Sequence, residues 1–147
     1  MEDNNILYHG SPKPLEGEKL ILSQGKDDPI RPENNEFGVY ATSRKDLAII
    51  MAIYACKDCL GGSIDEYEND KLNAVIYGDF PKQKHVYVHH LKKDSFKQLK
   101  IDPYQYVSLV PVKPIKTEKI KIEDFKHLLK QGSKQREKEW LEKYKDM

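Results

Sequence analysis

Phe37-Gly-Val-Tyr-Ala-Thr-Ser-Arg-Lys-Asp-Leu-Ala-Ile-Ile-Met-Ala-Ile-Tyr54 is the stretch on which the reading of the fold turns. Phe37-Gly38-Val39-Tyr40 is a β-branched and aromatic run, the pattern of a short strand. Ala41-Thr42-Ser43 then leads into an apolar helical segment. Ser43, with Asp46 three residues on, is an N-terminal capping signature, because the hydroxyl takes a free backbone N–H and the acid sits at the positive helix end. Leu47, Ile50, Met51, Tyr54 and Ala55 fall on one face of a 3.6-residue period. A strand is therefore expected to deliver Tyr40 to a turn just before a helix N-terminus. Such a place suits an aromatic that faces a ligand, although the stretch alone favours a tyrosine packed beneath the helix.

Upstream, Ile6-Leu7-Tyr8-His9-Gly10-Ser11 reads as a strand ending near a glycine, and Pro12 and Pro14 forbid a helix after it. Residues 23–36 form a polar loop with Gly25, Pro29 and Pro32, long enough to be expected as a mobile lid over a donor site. Downstream, Gly61-Gly62 is expected to stop the helix, and residues 63–71 are polar and commit to little. Asn73–Asp79, His85–Leu91, Tyr106–Val112 and Lys119–Ile122 read as strands, with Pro111 favouring an edge or a strand end. Phe125, Leu128 and Leu129 share one helical face up to Gly132, and Trp140, Leu141 and Tyr144 share another. Strands dominate the middle and helices are few and segregated, which is the α+β class. The division expected is a core over residues 1–122 and a C-terminal helical extension over 123–147, packed through Phe125, Leu128 and Trp140.

The chain has 147 residues, enough for one domain with a real core. Lys and Arg number 25 against 24 Asp and Glu, so net charge exerts no global pull towards nucleic acid or membrane. No signal peptide is read at Met1-Glu2-Asp3, and the apolar run Leu47–Cys56 is too short to span a bilayer. With only Cys56 and Cys59, a reducing cytoplasm is the expected location.

Cys56, Cys59, His85 and His89 invite a zinc reading. If 85–91 is a strand, however, the two histidines stand four residues apart at about 3.3 Å each, about 13 Å in all, too far to share one ion. No metal set is expected. Phosphate-binding glycine loops, dinucleotide fingerprints and the nucleophile elbow are all absent from the sequence.

What remains is an ordered trio. Tyr8-His9-Gly10-Ser11, then Gly38-Val39-Tyr40 before an apolar helix, then Gln105-Tyr106-Val107-Ser108, resembles the ADP-ribosyltransferase superfamily in its diphtheria-toxin and poly(ADP-ribose)-polymerase-like branch. That branch carries a His-Tyr-Glu triad in this order, and the resemblance covers about residues 6–122. It implies a split β-sheet core with few flanking helices and NAD as substrate. His9 would bond a ribose hydroxyl, Gly10 would clamp the nicotinamide carboxamide through its backbone, and Ser11 completes that motif. Tyr40 would stack on the nicotinamide ring with Tyr54 as the second face. Both roles suit the residue types, since a glycine permits close backbone approach and an aromatic face holds a flat cation.

The third position departs from the pattern. Gln105 stands where the family has glutamate; it can bond a hydroxyl but brings no charge and cannot act as a base. Asp102, Glu66 and Glu68 are the carboxylates within range as substitutes. Ala48 stands at the spacing of the family's nicotinamide-bonding serine, so Ser43 or Thr42 would replace it. The resemblance therefore implies mono-ADP-ribosyl transfer, or NAD hydrolysis, with an unknown macromolecular acceptor (protein or nucleic acid). The alternative is a catalytically silent module of the same fold that holds a nucleotide or an ADP-ribosylated partner. The RNA phosphotransferases of the same superfold need several further arginines, and this chain has only Arg31, Arg44 and Arg136.

Overall fold

The apolar helix of the opening stretch, α1 (Lys45–Tyr54), lies at the centre of the molecule. A computed structural model describes residues 5–14, 23–24, 37–66, 72–100 and 104–144. Leu47, Ala48, Ile49, Ile50, Ala52, Ile53 and Tyr54 are all buried, whereas Met51 is 47% exposed and Ala55 is also exposed. The one-sided stripe expected over Leu47, Ile50, Met51, Tyr54 and Ala55 is thus replaced by burial nearly all round. A helix apolar on most sides is one packed between two layers.

Those layers are two sheets. The larger follows the order β7-β8-β3-β1-β6-β9, with β2 also paired to β3. Its members are β1 (Ile6–Ser11), β2 (Ser23–Gln24), β3 (Phe37–Thr42), β6 (His85–Lys92), β7 (Phe96–Gln98), β8 (Gln105–Ser108) and β9 (Lys116–Lys121). Every pairing in it is antiparallel. The smaller sheet has the order β10-β5-β4, from β4 (Cys59–Glu66), β5 (Asn73–Gly78) and β10 (Leu129–Gln131). With helices segregated from largely antiparallel strands, the chain is α+β. No helix among the described residues is long and apolar enough to cross a membrane.

Two glycines locate the smaller sheet. A Cβ on Gly62 would run into the ring of Tyr54 on α1, and a Cβ on Gly61 would meet the indole of Trp140. Gly61 also has φ +141°, which a side chain would strain. The sheet is therefore clasped between α1 and α2 (Lys134–Tyr144). Trp140 stacks obliquely on Tyr77, and Arg136 forks onto the Asp65 carboxylate from α2 to β4.

Several local expectations need correction. Gly61-Gly62 lie inside β4 and do not end the helix, which closes at Ala55 with its N–H on the Met51 carbonyl. Ser43 does not cap it: the residue before the first turn is Arg44, whose backbone N–H is taken by the Thr42 hydroxyl at 3.1 Å. The segment expected as a helix from Phe125 is a 3-10 helix (Ile122–Leu128) followed by β10. Phe125 and Leu128 still pack on the core around α1. Of the loop at 23–36, residues 25–36 lie outside the described residues, as do Glu68 and Asp102.

Candidate functional site

The sheet register puts two histidines face to face. His9 on β1 is directly opposite His89 on β6, and their rings stack with centroids 6.0 Å apart and planes 23° apart. The next row across the same strands is Ser11, Tyr87 and Lys119, and the histidine row continues to Thr117. Alternation along β1 sends Tyr8 and Gly10 to the other side, where a Cβ on Gly10 would fall on the Ala48 carbonyl of α1. The histidine pair therefore stands on the face of the large sheet turned away from α1.

Each ring is held by its inner nitrogen. His9 Nδ1 lies 2.5 Å from the Tyr40 carbonyl oxygen. A carbonyl only accepts, so Nδ1 carries the proton and Nε2 of the neutral ring carries a lone pair. Burial lowers the His9 pKa, against the opposing pull of that carbonyl. At neutral pH His9 is thus a fixed acceptor. His89 is 0% exposed, with Nδ1 2.8 Å from the Thr117 hydroxyl. Burial, and then the neighbouring His9, push its pKa down to about 4. Among the described residues His89 Nε2 has no hydrogen-bond partner although it is buried. Such groups are rare in folded proteins, because an unpaired buried polar atom costs about 1–3 kcal/mol.

The opposite face carries a second polar cluster. Tyr8 meets His90 edge-on with centroids 5.0 Å apart. His90 Nε2 and Lys45 Nζ both bond the Glu118 carboxylate, the lysine at 2.7 Å. Burial alone would raise the Glu118 pKa; the hydrogen bonds from Lys45 and His90 overcome this and hold it low. Beside it Arg44 forks onto Asp46 at 3.1 and 2.7 Å and lies over the Tyr104 ring.

The residues singled out in the sequence divide between these faces. Tyr8 pairs with Thr42 and Thr42 with Gln105, so alternation puts Tyr40, Thr42 and Gln105 on the α1 side of the sheet. His9 is on the other side and meets Tyr40 at its backbone carbonyl. Gly10 lies directly against α1, which leaves no room on that side for a flat ring between them. The Ser11 hydroxyl donates to the Lys13 carbonyl at 2.8 Å. Ser43 is exposed, with its N–H on the Tyr104 carbonyl. Tyr54 is buried, its hydroxyl donating to the Val75 and Ser63 carbonyls at 3.0 and 3.2 Å. Desolvation raises its pKa. Tyr54 thus faces the small sheet, with the body of α1 between it and the large one.

The thiols are equally committed. Cys56 points to the Ala52 carbonyl and Cys59 to that of Asp79, with pKa values pushed up by burial to about 11 and about 12. Thiols in that state are poor nucleophiles. Among the described residues no three His, Cys, Asp or Glu side chains converge as a metal site. Sequence reasoning missed His89, Thr117, Tyr87 and Lys119 as neighbours of His9. The signal was there in the alternation of His85-Val-Tyr-Val-His89 against Thr117-Glu-Lys119, but register between strands distant in sequence is not readable from either one. Comparison with protein-family models, with curated proteins and with solved structures finds no match to this chain.

Proposed function

We propose that this protein binds NAD through His9 on an ADP-ribosyltransferase-like split-sheet core and transfers a single ADP-ribose, or hydrolyses NAD. The carrying observation is the tautomer of His9. With Nδ1–H donated to the Tyr40 carbonyl, Nε2 is an acceptor set to receive a ribose hydroxyl. The division of the strands into two sheets around one helix supports the split-sheet reading. In the reaction the bond from ribose C1′ to the nicotinamide nitrogen breaks and nicotinamide leaves with the electron pair. The acceptor oxygen, or water, forms the new bond to C1′ and gives up its proton to solvent. Gln105, across the sheet from His9, would reach this NAD only if the strand end rearranged, and positioning would supply the rate enhancement.

A second reading is favoured by one observation: Tyr40 and Gln105 lie across the sheet from His9. A module that binds a nucleotide without cleaving it needs His9 but not the other two. Incubation with labelled NAD separates the two readings. Nicotinamide release lost in His9→Ala, Tyr40→Ala and Gln105→Ala is expected for the enzyme; NAD bound without release supports the silent module. No measurable NAD affinity would sink both.

A further inference from the structure

We infer that the outer edge of β9 is a docking site for an extended peptide of alternating acidic and apolar residues, which joins the large sheet as a further strand. This surface is separate from the one the NAD reading uses.

The first ground is the backbone. β9 ends the order of the large sheet, and its six residues pair with residues 85–90 in one unbroken register. The Ile122 N–H donates to the Lys84 carbonyl at 2.9 Å, which fixes the alternation along the strand before it. The backbone N–H and C=O groups of Lys116, Glu118 and Ile120 therefore turn to β6, and those of Thr117, Lys119 and Lys121 turn outward. Among the described residues no strand pairs with that outer side, and Thr117, Lys119 and Lys121 are exposed. The other edges are blunted in ways that hinder strand addition. β2, β7 and β10 have only two or three residues. β4 breaks register at two places, and the Trp140 indole sits on its Gly61. β9 is the long and regular edge among the described strands.

The second ground is charge, and it chooses the occupant. Lys116, Lys119 and Lys121 are exposed, while the one carboxylate of the strand, Glu118, is held on the α1 side by Lys45 and His90. Pairing β9 with β9 of a second copy sets outward residues against outward residues. Centred on the strand, that register puts Lys119 opposite Lys119, and like charges directly opposite destabilise a sheet. A strand with acids opposite Lys119 and Lys121 gains two cross-strand ion pairs instead. Its alternate residue falls on the α1 side beside Ile120, which belongs to the buried cluster around α1, so an apolar side chain there extends that packing.

The test is calorimetric titration of the full chain with an acetylated and amidated hexapeptide of alternating glutamate and valine. Its lysine–valine counterpart and a uridine hexanucleotide serve as comparisons. The glutamate peptide is expected to bind and the lysine peptide is not. Lys119→Glu should weaken the glutamate peptide about fivefold. Lys119→Pro removes an outward N–H with no strand partner among the described residues, so an edge strand tolerates it. It should weaken binding about tenfold beyond Lys119→Ala, which loses the charge and keeps the N–H. Amide exchange in wild type needs no substitution: the N–H groups of Thr117, Lys119 and Lys121 should slow when the glutamate peptide is added. Absence of binding, equal affinity in Lys119→Pro and Lys119→Ala, or unchanged exchange at those three amides overturns the inference. Binding of the uridine oligomer with equal losses in Lys119→Pro and Lys119→Ala overturns it too, in favour of a lysine patch for polyanions.

Discussion

The two faces of β1 are built on opposite terms. On one side Tyr8 and Gly10 are packed against α1, and beside them Lys45 and His90 bond Glu118 and Arg44 pairs with Asp46. On the other, His9 and Ser11 look onto a sheet surface where Thr117 and Lys119 are exposed and a buried imidazole nitrogen has no partner among the described residues. Six residues of one strand thus line the core around α1 on one side and, through Leu7, a second buried cluster with Val39, Ala41 and Leu91 on the other. Closure by backbone contact makes the first face a stability element. On the second, one buried imidazole nitrogen remains without a partner among the described residues.

The strongest way to break that comparison is at Gly10. A methyl there would fall on the Ala48 carbonyl and crowd the Ala52 methyl. Because backbone cannot swing aside as a side chain does, Gly10→Ala is expected to lower unfolding stability by about 3 kcal/mol or more. Ser11→Ala, on the other face, should change it by about 0.5 kcal/mol. Urea midpoints of the two variants measure the contrast. A Gly10→Ala loss as small as that of Ser11→Ala would mean that α1 yields easily, and the closed face would then have to be counted as accessible to ligand.

Acid should separate the faces next. His89 has a folded pKa of about 4 against 6.5 unfolded. Between those values the unfolded chain binds more protons than the folded one, so stability falls as pH drops from 6.5 towards 4. The full loss approaches roughly 3 kcal/mol, with the lowered pKa of His9 acting in the same direction. On the closed face Glu118 has its pKa depressed, so its contribution is present above the ordinary 4.5 and is lost only below it. Unfolding free energy measured across this range should therefore show two windows. His89→Gln should flatten the upper one and leave the lower. An unchanged slope between pH 6.5 and 4 in that variant would put the responsible group elsewhere.

How far these faces were legible in the sequence depends on which residues are asked. The α+β class, β1, β5, β6 and the central helix follow from local periodicity, and there the structure agrees. β4 was hidden because Gly61-Gly62 look like a helix stop, while their actual reason is close approach of Trp140 and Tyr54, residues 79 and 8 positions away in the chain. The stripe on α1 misplaced Met51 because a helix held between two sheets has no single wet side. Of the site, His9 was visible as a residue, whereas its pairing with His89 depends on a register between strands 80 residues apart. Tyr54 shows the same limit: its spacing after Tyr40 suggested a shared ligand, but three dimensions give its hydroxyl to Val75 and Ser63. Tyr54→Phe should accordingly cost about 1 kcal/mol of stability and leave NAD affinity unchanged. Lost affinity without lost stability would return Tyr54 to the site.

The smallest expected effect is also the most discriminating. Thr117→Val keeps the branched shape that suits a strand and removes only the oxygen beside His89 Nδ1. Thr117 is exposed, so water competes for that bond and the loss in stability should be about 0.5 kcal/mol. Nitrogen NMR of the imidazoles reads what the midpoint barely shows. His9 must keep its proton on Nδ1 in the variant, because the Tyr40 carbonyl can only accept. His89, with its one fixed partner removed, should shift towards a mixture of tautomers. Were His89 to hold a single tautomer in Thr117→Val without ligand, something already bonded to Nε2 would be choosing it. The His9 side would then hold no unanswered nitrogen at His89.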